Sequence, residues 1–260
     1  MRRLIACWRL LRVLAHIGRG LAAVLSARAP DAARREAVVG AWSRRLLQIL
    51  EIELQLEGRP LAGAKMIVAN HVSWLDIAAI HAVVPEARFV AKADVKRWPL
   101  VGRLVDYAGT LYIERASKRD AMRVVHQAAD ALRGGATVAF FPEGTTGPGP
   151  ELLPFHGNLL QAAIATAATL QPLALRWHEP GQRYSESARF IGDTTLVQSL
   201  WMVLCARGLA VRLQWLPPAP VGHADERRVL AERLRGELAR TLSEDQHESG
   251  AGLAPCRPGS

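Results

Sequence analysis

The chain has 260 residues, half of them hydrophobic, which is enough for one sizeable α/β domain with a small appended element and a full core. Its three cysteines (Cys7, Cys205 and Cys256) lie far apart with no CxxC or Cys/His ligand spacing, which argues against a zinc site or disulfide scaffold and for a reducing compartment. The formal charge of +9 suits an anionic membrane face or phosphorylated substrates, while only 6% aromatics and no basic stretch interleaved with stacking residues disfavour nucleic acid.

The chain opens with MRRLIACWRLLRVLAHIGRGLAAVL. Arg9, Arg12, His16 and Arg19 recur at helical spacing and predict a basic stripe, with Leu4, Ile5, Trp8, Leu11 and Leu14 elsewhere on the wheel. These cations interrupt the apolar run that a membrane span requires, and they fall inside what would be the apolar region of a signal peptide. The expectation is a helix lying in the membrane interface, cations toward phosphate headgroups and apolar face toward the acyl boundary. A surface helix packed on its own domain is the alternative. A second helix follows from Ala32 to about Leu50.

From Glu51 the period changes to two, with Ile52, Leu54 and Leu56 alternating with polar residues as in a half-buried strand. Predicted strands then cover 65–70, 88–91, 109–114, 137–141, 172–177 and 209–215. Helices are predicted over 75–84, 118–132, 157–170, 195–206 and 224–242. Alternation of this kind predicts an α/β fold, a mostly parallel sheet flanked by helices. The organisation expected is N-terminal helices over 1–50 for membrane association, an α/β domain over 51–243, and a disordered tail over 244–260.

In an open α/β sheet, ligand chemistry gathers beyond the strand C-termini. Three loops there stand out. In ANHVSWLD (69–76), His71 directly follows a strand and Asp76 lies one helical turn on, so the carboxylate can hold one imidazole nitrogen while the other removes a proton. Taken alone, the same residues read equally as a capped helix start, with Ser73 as the cap. GTLYIER (109–115) ends a strand on Arg115, whose fork of donors suits a phosphate, although single arginines at strand ends are more often solvated. FPEGTTGPG (141–149) runs from a buried strand into Glu143, Gly144 and Thr145, without the Gly-Lys-Ser/Thr of a nucleotide-binding loop.

Taken together and in this order, NHVSWLD, GTLYIER, FPEGT and QPLAL resemble the glycerolipid (lysophospholipid) acyltransferase family, most of all its 1-acylglycerol-3-phosphate acyltransferases. The family's NHxxxxD block lands on Asn70, His71 and Asp76, and its Gly-strand-Arg block on Gly109 and Arg115. FPEGT lands on Phe141 to Thr145, and a strand-opening proline on Pro172. Lys92 falls where the family often has a lysine before a Pro-Leu-x-Gly segment, here 99–102. The resemblance covers about residues 40–215.

The resemblance implies His71 as general base with Asp76 as its orienting partner. It implies Arg115 and Lys92 as phosphate holders, with Glu143, Gly144 and Thr145 shaping the acceptor site. The reaction implied is acyl transfer from acyl-CoA or acyl carrier protein to the free hydroxyl of a lysolipid, giving phosphatidic acid from 1-acylglycerol 3-phosphate. It needs no metal, no cofactor beyond the donor and no acyl-enzyme. The expected location is the cytoplasmic face of the inner membrane, peripheral or monotopic.

Two departures bear on the acceptor. Thr146-Gly147-Pro148 replaces the Arg-Ser that often follows FPEGT, and PFHGN carries His156 where a lysine is common. The FPEGTTG and LLPFH segments also look like bacterial members that acylate lyso-ornithine lipid. Two further alternatives are a Ser-His-Asp hydrolase using Ser73, although no GxSxG elbow is present, and a non-catalytic peripheral lipid-binding protein.

Overall fold

A computed structural model of the chain describes residues 2–26, 31–98, 101–113 and 118–250. Seven strands form one sheet: β1 (Glu53–Glu57), β2 (Met66–Ala69), β3 (Arg88–Lys92), β4 (Leu111–Ile113), β5 (Val138–Phe140), β6 (Leu170–His178) and β7 (Ala210–Trp215). Their order across the sheet is β1-β7-β6-β2-β5-β3-β4, parallel throughout except for the antiparallel β6–β7 pair. The helices are α1 (Arg2–Ser26), α2 (Ala32–Ile49), α3 (Leu75–Val83), α4 (Val101–Tyr107), α5 (Lys118–Arg133), α6 (Leu160–Thr166), α7 (Leu196–Cys205) and α8 (Arg227–Gly250).

The central strands β2, β5 and β6 are buried along almost their whole length because helices cover both faces. One core cluster joins β2, β6 and β7 to α2, α3 and α7, and it includes Ala6 and Val13 of α1. A second lies under α5, α6 and α8, and a small third joins Leu152 and Ala174 to Leu238 and Leu242 of α8. β6 is longer than β2. Its C-terminal half overruns the end of β2 and is carried there by pairing with β7, Trp177 opposite Val211.

Some boundaries differ from the sequence expectations. The helix expected over 157–170 is shorter, because Ala167 adopts a left-handed conformation that closes α6 and frees Leu170 to begin β6. A 3-10 segment (Ala93–Arg97) and α4 occupy a stretch with no predicted element. The last helix runs past Ser243 to Gly250, where the tail was expected to begin, and residues 251–260 lie outside the described residues.

The basic stripe of α1 does not form one solvent-facing band. Arg9 and His16 turn inward with Ala6, Val13 and Gly20. The Arg9 guanidinium donates to the carbonyls of Leu204 and Ala206, both at 3.1 Å, and pairs with Glu51. Those carbonyls end α7 and have no helical partner, so a cation there satisfies them. His16 stacks on Trp42, ring centroids 4.9 Å apart, with its Nε2 3.0 Å from the Trp42 carbonyl. Burial lowers the His16 pKa, and Arg19 and Arg45 lower it further, against the opposing pull of that carbonyl. The other face of α1 exposes Leu4, Ile5, Trp8, Leu11, Leu14 and Leu25, and α7 exposes Val197 and Trp201. Among the described residues, no helix is long and apolar enough to cross a membrane.

Candidate active site

The site begins where β2 stops. Ala69 is its last residue, but β6 continues beside it, so on the β2 side no strand residue pairs with Leu175, whose ladder partner is Leu213 of β7. The Asn70 carboxamide supplies both bonds: its Nδ2 donates to the Leu175 carbonyl at 2.8 Å, and its Oδ1 accepts from the Leu175 amide at 2.8 Å. A buried amide and carbonyl are thus satisfied by a side chain, and the backbone is released to turn away at His71.

His71 Nδ1 lies 2.8 Å from Asp76 Oδ2. The same oxygen accepts from the amides of Val72 (2.7 Å) and Ser73 (2.9 Å). Oδ1 accepts from the Trp177 indole Nε1 at 2.6 Å. Asp76 is fully buried in the first turn of α3, where the helix dipole also favours an anion. A carboxylate in that position requires such donors, because desolvation without partners would be costly. With Nδ1 held by Asp76, Nε2 is the nitrogen left for a substrate. The imidazole stacks flat on Phe141, ring centroids 3.9 Å apart and 6° from parallel, which fixes its plane.

Ser73 is sealed off. Its residue is fully buried, its hydroxyl accepts from the Leu75 amide at 3.3 Å, and it does not line the cavity described below. It assists the start of α3, whose formal N-cap is Trp74, and its placement excludes a nucleophilic role in that cavity.

The FPEGT segment leaves β5, the neighbour of β2, and lies against the His71 loop. Glu143 binds main chain with both oxygens: Oε1 accepts from the His71 amide at 2.7 Å and Oε2 from the Leu153 amide at 2.9 Å. Burial raises the Glu143 pKa, while those two amides and the nearby imidazole hold it down. Gly144 takes a φ of 66°, a left-handed conformation that favours glycine in the turn after Glu143. Gly147 donates its amide to the His71 carbonyl at 2.7 Å, and a Cβ there would meet Glu143 Oε2 at 2.9 Å. The Thr146-Gly147 step is therefore a close contact with the His71 loop.

A cavity of about 660 Å³ opens over these residues. His71, Lys92, Glu143, Gly144 and Thr145 line it, which brings together the sequence-predicted residues that fall within the described part of the chain, with Asp76 behind His71. Arg115 lies outside the described residues. Its lining includes apolar residues (Trp74, Ile77, Val90, Val95 and Trp98) and polar ones (Thr146, His156 and Asn158). Trp74 is fixed by its indole N–H, which donates to the buried Ser199 hydroxyl of α7 at 3.0 Å.

Neither the Trp177 contact nor the Phe141 stack is legible in the sequence, and Glu143, which lines the cavity as expected of an acceptor-site residue, also binds main chain with both oxygens. The period-two run Leu173, Leu175, Trp177 does mark the indole as facing the core side of β6. Nothing local indicates Asp76 as its partner, 101 residues earlier.

A family model described as Acyltransferase matches residues 52–176. The chain is 34% identical over 206 residues to the 1-acyl-sn-glycerol-3-phosphate acyltransferase of Neisseria meningitidis serogroup B, covering 78% of this chain and 79% of that one. It is 36% identical over 245 residues to the lyso-ornithine lipid O-acyltransferase of Pseudomonas aeruginosa, covering 92% and 90%. The crystal structure of the 1-acyl-sn-glycerophosphate (LPA) acyltransferase PlsC from Thermotoga maritima superposes with a TM-score of 0.69 at 21% identity, over 98% of this chain and 100% of that one, which bears out the fold. By these relatives, and by the blocks gathered around one cavity, the chain belongs to the acyltransferase family.

Proposed function

We propose that the protein is a membrane-associated O-acyltransferase that moves a fatty acyl group from a thioester donor, acyl-CoA or acyl carrier protein, to the free hydroxyl of a lysolipid. The observation that carries this reading is the His71–Asp76 contact of 2.8 Å at the wall of a half-apolar cavity. His71 Nε2 takes the proton from the acceptor hydroxyl as its oxygen attacks the thioester carbonyl. Asp76 stabilises the imidazolium that forms. Collapse of the tetrahedral intermediate breaks the C–S bond, and the imidazolium returns its proton to the leaving thiolate. An ester, a free thiol and neutral His71 result. Within this proposal Lys92 and Arg115 hold acceptor phosphate, and Gly144 and Thr145 shape the headgroup pocket.

The acceptor favoured is 1-acyl-glycerol 3-phosphate, with phosphatidic acid as product. A second acceptor, lyso-ornithine lipid, is supported by a specific observation: the polar lining of the cavity adds Thr146, His156 and Asn158 to Lys92 rather than a further lysine or arginine. The extended similarity to the Pseudomonas aeruginosa enzyme points the same way. A purified-protein assay with each donor against both lysolipids separates the two. Turnover of the phosphate-bearing acceptor at least tenfold above lyso-ornithine lipid supports the first reading, and the reverse ratio supports the second. No transfer to any lysolipid would leave a binding protein instead.

Membrane association rests on the outward face of α1. Leu4, Trp8 and Leu11 are exposed there, Arg19 is exposed on the same helix, and the inward face is occupied by the protein's own core. A surface of this composition suits insertion to the headgroup–acyl boundary of an anionic bilayer. The location proposed is a peripheral one, on the cytoplasmic face of the cell membrane.

A further inference from the structure

We propose that Trp177 is a positioning residue for the reaction, its indole N–H selecting which oxygen of Asp76 faces His71 and holding the pair in the orientation that acts on the acceptor hydroxyl. The inference rests on His71 being the base.

Asp76 has two chemically equivalent oxygens and no exposure to water. Oδ2 collects three donors, His71 Nδ1, Val72 N and Ser73 N. Oδ1 lies on the opposite side, toward a core cluster that includes Leu75, Leu173, Leu175 and Trp177. The indole Nε1 at 2.6 Å is the donor that makes this orientation tenable for an ionised carboxylate. Trp177 is itself held on a paired strand, opposite Val211 in the β6–β7 ladder, and is 1% exposed. Its N–H is therefore delivered from the sheet. Asn70 is bound to the same strand through Leu175, two residues earlier. β6 thus sets both the start of the His71 turn and the rotation of its carboxylate.

Loss of the N–H has a direction. A buried carboxylate deprived of a donor on Oδ1 has its charge less stabilised, so the proton affinity of the His71–Asp76 pair rises. The imidazole that this carboxylate holds is then less firmly aimed.

The test uses the full chain with Trp177→Phe, and with β-(3-benzothienyl)alanine at position 177, which keeps the indole's size and replaces only the N–H by sulfur. Thermal unfolding establishes that each is folded, and the isostere keeps the question answerable if the phenylalanine variant is not. The expected result is a kcat about tenfold to a hundredfold lower with both KM values within about twofold, and an acid limb of the kcat–pH profile moved up by about half a unit to one unit. A purely structural role would change the unfolding temperature and leave the profile in place. Unchanged kcat and profile in the folded isostere, with His71→Ala inactive, would overturn the role of Trp177 alone. Activity retained by His71→Ala would overturn the base assignment and this inference with it.

Discussion

The Asn70 carboxamide forms both hydrogen bonds of a ladder rung with the main chain of Leu175, each at 2.8 Å. This residue has no place in the chemistry, yet it decides where β2 ends and where His71 begins. Asn70→Ala strands a buried amide and a buried carbonyl, so it should lower the unfolding free energy by about 2–4 kcal/mol. Asn70→Asp should cost at least as much, since a carboxylate oxygen then faces the Leu175 carbonyl. Urea titration of the purified variants checks both, and a midpoint unchanged in Asn70→Ala would contradict the rung.

Glu143 ties the His71 amide to the Leu153 amide. Glu143→Gln turns an amide N–H toward one of these two donors, with an expected loss of about 1–3 kcal/mol and a lower kcat. Gly147→Ala pushes a methyl group to 2.9 Å from the same carboxylate, and its kcat should fall by at least about tenfold for the same reason, displacement of the His71 loop. If Glu143→Gln instead raised only the acceptor KM, with stability unchanged, the residue would be a substrate contact and not a clamp.

The two faces of α1 should respond differently. Trp8 and Leu11 are 61% and 60% exposed, so Trp8→Ala with Leu11→Ala should leave the unfolding temperature within a degree or two and weaken binding to anionic vesicles by at least tenfold. Arg9→Ala removes a guanidinium from the carbonyl end of α7 and should lower stability by about 1–3 kcal/mol. Vesicle cosedimentation beside thermal unfolding separates these outcomes, and equal vesicle binding by the double variant would contradict the membrane face.

His16, His81 and His178 all have pKa values lowered in the fold, burial being the largest cause for each. As pH falls through about 6.5 the unfolded chain takes up protons before the folded chain does, so stability present above that pH is lost below it. The unfolding midpoint should therefore drop between pH 7.5 and 5.5. His16→Gln, whose amide can still donate to the Trp42 carbonyl without titrating, should flatten part of that drop. A midpoint rising toward pH 5.5 would contradict the lowered proton affinity of these rings.

Period-two and period-3.6 patterning made the element order and the parallel sheet legible, because each apolar face must be buried against its neighbour. The lengths of β6 and α8 and the 3-10 segment were not, since strand overrun and helix ends depend on partners far along the chain. Arg9 and His16 show the same limit. Their spacing announces a helical face, but whether that face meets water or the open end of α7 is a tertiary fact. At the site, His71, Asp76 and the FPEGT residues carry recognisable chemistry in short runs. Trp177 reads as an ordinary core indole until the fold places it 2.6 Å from Asp76.

The central claim is that His71, held by Asp76, takes the proton from a lysolipid hydroxyl. The most direct measurement is the rate of acyl transfer by His71→Ala, compared with wild type, in purified folded protein with saturating donor and acceptor. The account predicts a fall in kcat of at least about 10²–10⁴-fold with vesicle binding and unfolding temperature nearly unchanged. A variant that transfers acyl groups at close to the wild-type rate would contradict it.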